Sequence, residues 1–174
     1  MIIIALGANL PSEHAGPPRA TLECALAGLQ ARGIAVTGRS RWYESAPVPA
    51  SDQPWFVNAV ASLETDLAPG ALMRTLHDIE ALLGRVRDGT ANAARAADLD
   101  LIDYHGRVSG PDAWPRLPHP RMESRAFVVK PLAELAPDWR HPVSGATIQE
   151  LLRRLSQDQV CNPLPEGSRK GGCP

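Results

Sequence analysis

Two aspartates separated by one leucine are the residues of this chain best suited to binding a cation. Asp98 and Asp100 alternate with Leu99 and Leu101, and residues two apart in a strand share one face, roughly 7 Å apart along the chain. Two carboxylates on one rigid face repel each other unless a cation lies between them. Magnesium is the natural candidate because it prefers oxygen ligands and shares its shell with substrate phosphates. On this motif alone, a solvated acidic sheet edge remains an open alternative.

Arginines flank the acidic pair on both sides. Three precede it and two follow it: Arg85, Arg87, Arg95, Arg121 and Arg125. The guanidinium fork matches phosphate oxygens in shape and charge. Any one of these arginines could form an ordinary salt bridge, but five around one acidic strand favour a site for a metal–triphosphate complex. His119 lies close to two of them in sequence, so a phosphate contact is expected there too.

A second group of residues could hold a flat heterocycle. Phe56 and Asn58 stand two apart in a segment expected to be a strand, so their side chains share a face. An aromatic ring and an amide together suit a ring that both stacks and hydrogen-bonds. Core packing is the alternative for Phe56, since most aromatic side chains are largely buried.

Sequence periodicity predicts the elements that carry these residues. Strands are expected at residues 1–6, 34–43, 55–63 and 97–104. Helices are expected around residues 22–29, 69–83, 126–135 and 148–155. The first six elements follow the order β-α-β-β-α-β, which is the ferredoxin-like arrangement. We therefore expect an α+β fold, an antiparallel sheet with helices on one face, extended by additional C-terminal helices.

One domain is expected over residues 1–155. Residues 85–96 lack useful periodicity and are interpreted as a loop. Residues 156–174 are rich in glycine, proline, serine and charge, so a disordered tail is expected there.

The composition limits the partners and the compartment. The chain has 174 residues and a net charge of −1, so no overall basic field favours nucleic-acid binding. The apolar run near the start is too short for a signal peptide, and no stretch approaches the length of a membrane span. The three cysteines form no metal-binding pattern and suggest a reducing compartment. We expect a cytoplasmic monomer that acts on small molecules and binds neither nucleic acid nor membrane.

Six segments, taken in order, resemble the 6-hydroxymethyl-7,8-dihydropterin pyrophosphokinase family of folate biosynthesis. They are Leu6–Leu10, Tyr43–Pro47, Asp52–Asn58, Gly84–Arg87, Arg95–Asp100 and Pro118–Met122. The resemblance runs from Ile3 to about Leu155 without large gaps. It implies an enzyme, a diphosphokinase that transfers pyrophosphate from the co-substrate Mg-ATP to the pterin and releases AMP.

The resemblance also implies roles for particular residues. Asp98 and Asp100 are similar to the ligands of two magnesium ions, and with Arg87 and Arg95 they form the expected catalytic group. The residues expected near ATP are His77, Glu80, Arg85, Arg87, Arg95, His119 and Arg125. The residues expected at the pterin are Ser45, Pro47, Val48, Phe56, Asn58 and Phe127. Among these, the two phenylalanines would sandwich the ring and Asn58 would read its edge.

Departures from the family pattern keep other functions in view. Ala94 stands where the family often has proline, and Asn92 stands where some members have tryptophan, so loop stiffness and rate are in question. A catalytically impaired relative that only binds its ligands, or another magnesium-dependent kinase, would share much of the pattern. A ferredoxin-like RNA-binding domain fits poorly, because the fourth strand carries two aspartates and the chain is not basic.

Overall fold

The elements lie close to the expected positions. A computed structural model describes residues 1–85, 94–110 and 112–165 of the chain. The strands are β1 (Ile2–Ala8), β2 (Ala35–Arg39), β3 (Tyr43–Ser45), β4 (Phe56–Glu64), β5 (Asp98–Tyr104) and β6 (Cys161–Pro163). The helices are α1 (Pro18–Gln30), α2 (Pro69–Leu82), α3 (Ala126–Leu135) and α4 (Ile148–Arg154), with a 3-10 turn at Met122–Ser124.

The described strands form one six-stranded sheet in which β1 lies between β5 and β4. Its order is β5-β1-β4-β3-β6, and β2 also pairs with β4. β1 lies antiparallel to β4 on one side and to β5 on the other. Ile2, Ile3 and Ile4 are fully buried because both faces of this strand are covered. The ferredoxin-like order and the antiparallel sheet are confirmed.

Helices cover both faces of the sheet: α1 and α2 share one face, as the ferredoxin-like arrangement predicts, and the additional C-terminal helices cover the other. On the first face, Ile4 and Leu6 pack with apolar residues of α1 and α2. On the second face, Ile3 and Val60 pack with α3 and α4. The physical reason is the apolar character of both faces, since the C-terminal helices bury a second layer that would otherwise meet water. The second face also carries the acidic pair.

The second expected strand divides into β2 and β3. Arg39 pairs with Ala61 and Tyr43 pairs with Asn58. Residues 39–43 therefore lie opposite residues 58–61 of β4, a segment that is one residue shorter. The extra residue is a bulge, where Ser40 Oγ accepts the hydrogen bond of the Val60 amide at 3.1 Å. The bulge separates the two short strands that border β4.

Ordered structure extends beyond residue 155, so the expected tail begins too early. β6 pairs antiparallel with β3, with Ser45 opposite Cys161. Cys161 is 2% exposed and packs with Tyr43 and Ala126. This burial and the strand pairing offset the entropy cost of ordering the segment. The polar composition alone had suggested that this cost would leave the segment disordered. Residues 166–174 lie outside the described part, where the expectation of disorder remains a prediction.

Candidate active site

Three residues in one row across the sheet define the floor of the site. Gly7 on β1 pairs with Asn58 on β4 and with Asp98 on β5. Neighbouring strands are about 4.8 Å apart, so the Asn58 and Asp98 backbones are separated by about 10 Å. A Cβ atom at Gly7 would lie 3.2 Å from Asn58 Oδ1. The glycine therefore leaves an open floor between an amide and a carboxylate.

The acidic pair lies on the second face of the sheet, as the alternation predicts. Leu99 and Leu101 point to the first face and are buried in its core. The side chains of Asp98 and Asp100 are 27% and 28% exposed. Both carboxylates are therefore open to a ligand on the side of the sheet that α3 covers.

Two arginines neutralise Asp98 in the ligand-free protein. Arg85 donates to Asp98 Oδ1 and also to Glu80. Arg95 Nη1 lies 2.9 Å from Asp98 Oδ2. Burial acts to lower the pKa of Arg85, but the charges of Asp98 and Glu80 outweigh it and raise the pKa overall. The guanidinium groups and the carboxylate thus form a cluster next to the floor.

Two further cationic or polar groups face Asp100. Arg125 Nη1 lies 3.4 Å from Asp100 Oδ2, and His119 Nε2 lies 3.8 Å from the same oxygen. Burial lowers the pKa of His119 and, together with the charge of Arg121, lowers the pKa of Arg125. The carboxylates of Asp100 and Asp98 act in the opposite direction and favour the Arg125 cation.

The wall opposite the sheet comes from the first turn of α3. Phe127 is partly exposed, and the Arg125 guanidinium carbon lies 5.4 Å from its ring centroid. Phe56 and Asn58 lie on the same sheet face as Val60, which packs against α3. Phe56 is partly exposed, whereas Asn58 is buried and donates through Nδ2 to Ser45 Oγ at 3.0 Å. Two aromatic side chains and a fixed amide thus line one end of the floor.

The comparisons with known proteins match this architecture. The family model "7,8-dihydro-6-hydroxymethylpterin-pyrophosphokinase (HPPK)" matches residues 3–137. The chain belongs to the HPPK family.

Individual HPPK relatives are similar over most of their length. A protein of Synechocystis sp. named 2-amino-4-hydroxy-6-hydroxymethyldihydropteridine pyrophosphokinase is 38% identical over 98% of this chain and 83% of its own. Proteins of the same name from Methylorubrum extorquens and Pseudomonas aeruginosa are 40% and 41% identical, over 90% and 87% of this chain and 94% and 89% of theirs.

A solved structure shares the fold. A triple mutant of Plasmodium falciparum HPPK-DHPS with SDX-DHP matches with a TM-score of 0.65 and 13% identity. The match covers 88% of this chain and 44% of that one, so this chain spans less than half of the longer protein. At this identity the likeness bears on the fold alone.

The remaining residues expected from the HPPK resemblance fall in different places. Pro47 is buried and Val48 is 47% exposed in the loop after β3. His77 lies on α2 with its ring centroid 6.0 Å from that of Trp114. Arg87 lies outside the described residues, so its role at the phosphates remains a prediction.

Glu80 lies beneath the site instead of facing a ligand. Its residue is 1% exposed, and Oε1 accepts from both Arg85 and the Leu99 amide, the latter at 2.7 Å. The expected place of Glu80 near ATP therefore stays a prediction, and in the ligand-free protein its carboxylate is enclosed by Arg85 and β5. Glu80 holds Arg85 and β5 in register with α2.

Two site residues escaped the sequence reasoning although their segment was noticed. Gly7 provides the floor, and Asn9 connects two loops at its edge. Asn9 is 3% exposed, donates to Gln53 Oε1 at 3.2 Å and accepts from the Arg95 amide at 2.8 Å. Only the strand register and these long-range contacts distinguish such residues from ordinary turn residues.

The donor chemistry of the acidic pair fits magnesium. Within the described ranges, no group of three or more His, Cys, Asp or Glu side chains could hold a metal alone. Two carboxylates on one face are the kind of partial ligand set that magnesium completes with substrate phosphates and water. Among those same residues, no helix is long and apolar enough to cross a membrane.

Proposed function

We propose that the protein transfers the terminal pyrophosphoryl group of Mg-ATP to 6-hydroxymethyl-7,8-dihydropterin, giving AMP and the pterin diphosphate in folate biosynthesis. Family membership supports this activity, and relatives over 83–94% of their own length carry its name. One observation carries the proposal furthest. The row of Asn58, Gly7 and Asp98 joins an amide, an open floor and a carboxylate in a line.

The Asn58 end of the floor is the proposed pterin site. Asn58 would read the polar edge of the ring, because its amide is buried and oriented by Ser45. Phe56 and Phe127 would stack on the two ring faces. Pro47 and Val48, after β3, would contribute backbone at the ring edge. The hydroxymethyl group would then extend over Gly7 toward the acidic pair.

The Asp98 end is the proposed triphosphate site. Asp98 and Asp100 would hold two magnesium ions, which supply charge neutralisation at the attacking and leaving oxygens when bound. Arg85, Arg95 and Arg125 neutralise the carboxylates in the ligand-free protein. If metal ions bound the carboxylates, the guanidinium groups would become available to phosphate oxygens, together with His119 and Arg87.

The chemistry at this site is mainly positioning. The pterin hydroxymethyl oxygen attacks the β-phosphorus and releases its proton to solvent water, while the bond from the β-phosphorus to the α–β bridging oxygen breaks and AMP leaves. The residues hold acceptor and donor in line and neutralise the charge on the transferred group. We also propose that the protein is a monomer and that it acts in the cytoplasm.

Product analysis tests the proposed reaction. The purified protein is incubated with magnesium, ATP and the dihydropterin, and the nucleotides are separated by chromatography. AMP should accumulate in equal amount to the pterin diphosphate. ADP would instead indicate an ordinary kinase, and tight binding of both ligands without turnover would indicate a catalytically impaired relative. The Asp98→Ala variant provides the blank for contaminating enzymes.

A further inference from the structure

The start of α3 carries two site residues but has no cap of its own. Arg125 is the N-cap residue and Phe127 lies in the first turn. The first amide groups of a helix have no partner within the helix, and the Arg125 side chain makes no capping hydrogen bond. An outside group must therefore fix this turn.

Gln159, far along the chain, supplies that group. Its Oε1 accepts from the Ala126 amide at 2.9 Å. Its Nε2 donates to the Ser124 carbonyl at 2.7 Å. The two peptide groups that it binds flank Arg125 on either side, so one side-chain amide fixes the backbone of this residue in both directions.

The backbone next to Gln159 is attached to the opposite wall of the site. The Val160 carbonyl accepts from the Ala46 amide at 3.2 Å. Cys161 pairs with Ser45, the residue that orients Asn58. Lys130 on α3 donates to the Cys161 carbonyl at 2.9 Å. The segment therefore connects the strand that orients the amide with the helix that carries Phe127.

We propose that Gln159 is a positioning residue that sets the spacing between the Phe127–Arg125 wall and the Asn58–Ser45 wall. The identity of the ligand in this inference rests on the proposed function, whereas the hydrogen bonds of Gln159 do not depend on it. Residues 3–137 define the family match, so Gln159 lies outside it. Without the side-chain amide, the first turn of α3 loses its hydrogen bonds to the segment that precedes β6, and the width of the site for a flat ring is no longer fixed.

The direct test is hydrogen exchange at the Ala126 amide in the protein without ligands. In the wild type this amide should exchange slowly, although first-turn amides usually face water. In Gln159→Met, which keeps the length of the side chain and removes both hydrogen bonds, it should exchange faster. An unprotected Ala126 amide in the wild type overturns the proposal, whether or not any variant folds.

Ligand binding tests the consequence for the site. In Gln159→Met the dissociation constant and KM for the dihydropterin should rise about fivefold, as expected for a hydrogen bond worth about 1 kcal/mol, while kcat changes little. A purely structural role would lower the melting temperature and the active fraction but leave the dissociation constant of the folded protein unchanged. That outcome contradicts the proposal.

Two further variants complete the design. Gln157→Met is the matched control, because Gln157 is exposed in the same segment and should change neither exchange nor affinity. Gln159→Glu keeps an acceptor for Ala126 and should restore its protection. If the wild type forms no AMP, the proposed function fails, while the exchange measurement still tests Gln159 alone. Equal exchange in wild type and Gln159→Met refutes the positioning role even in an active enzyme.

Discussion

At the scale of single residues, aspartates and leucines alternate on β5, so the aspartates face the proposed site and the leucines pack in the core. Asp100→Asn should leave the fold intact and lower turnover by about 10²–10³, the usual loss when one charge-stabilising group is removed from an active site. Leu99→Ala should instead cost about 2–5 kcal/mol of stability, because Leu99 is fully buried. Steady-state kinetics and thermal unfolding separate the two effects. Asp66→Asn, at an exposed position, is the control, and near wild-type turnover in Asp100→Asn contradicts the assignment.

Asn58 should affect one substrate and not the other. Asn58→Ala removes a buried amide that Ser45 orients, leaving polar partners unpaired at a cost of about 1–3 kcal/mol. The affinity for the dihydropterin should fall accordingly, while the affinity for ATP stays close to wild type. Calorimetry with each ligand measures both. Equal losses for the two ligands would show that Asn58 supports the whole site and does not read the pterin.

Gly7 should be sensitive to a single methyl group. Gly7→Ala places a Cβ 3.2 Å from Asn58 Oδ1, so the amide must shift. The dihydropterin affinity should weaken by about 1–2 kcal/mol, in the range of an overpacked site. Gly28→Ala in α1 meets only ordinary contacts and should leave the affinity unchanged. Unchanged binding in Gly7→Ala would mean that the ring does not cross this part of the floor.

The sequence predicted these residues unevenly. The two-residue period fixed the common face of Asp98 and Asp100, since a strand permits no other placement. The sequence period could not indicate that Glu80 is enclosed, because this enclosure depends on the contacts of Arg85 with Asp98 on β5. Asn9 likewise depends on contacts with Gln53 and Arg95, which are distant in sequence. Roles that arise from register and tertiary contacts required the structure.

At the scale of elements, one carboxylate attaches α3 to the β2–β3 connection and to the first residue of β3. Glu134 accepts from the Arg41 amide at 2.7 Å and from the Tyr43 hydroxyl at 2.8 Å. Burial acts to raise the pKa of Glu134, but these hydrogen bonds lower it overall. Burial and the bond to Glu134 raise the pKa of Tyr43 to about 12, so the phenol remains a donor at ordinary pH.

The stability contributed by Glu134 should depend on pH. A folded-state pKa below the unfolded value stabilises the protein above the unfolded pKa, about 4.5, and the gain is lost as pH falls through the folded pKa. Glu134→Gln should therefore cost about 1 kcal/mol at pH 7 and progressively less below pH 4.5. Denaturant unfolding at several pH values measures this. Glu64→Gln, at an exposed residue, is the control, and a pH-independent difference would contradict the prediction.

The sequence predicted helices correctly where the spacing of apolar residues repeated over several turns. The stripe of Leu72, Leu76 and Ile79 indicated α2, and α3 was expected at residues 126–135, where it lies. β3 and β6 have only three residues each, too few for a period to emerge. Their strand character comes from pairing with neighbours, which offset a polar and proline-rich local sequence.

At the scale of the whole molecule, the first face of the sheet carries core packing and the second face also carries the proposed site. α1 and α2 pack on the first face, together with the leucines of β5. The second face is shared between a core under α3 and α4 and the proposed site, which occupies the ends of β1, β4 and β5. The first turn of α3 and the segment at Gln159 border both. The family fold therefore supplies the platform, and the C-terminal region encloses it.

The fate of the β-phosphate tests the central claim most directly. ATP labelled with ³²P at the β position is incubated with magnesium, the dihydropterin and either wild-type protein or Asp98→Ala. If the two terminal phosphates move together, the label leaves the nucleotide and appears in the pterin product with the wild type, and stays in ATP with the variant. Label that remains in ADP would show transfer of the γ-phosphate alone, and would contradict pyrophosphoryl transfer at this site.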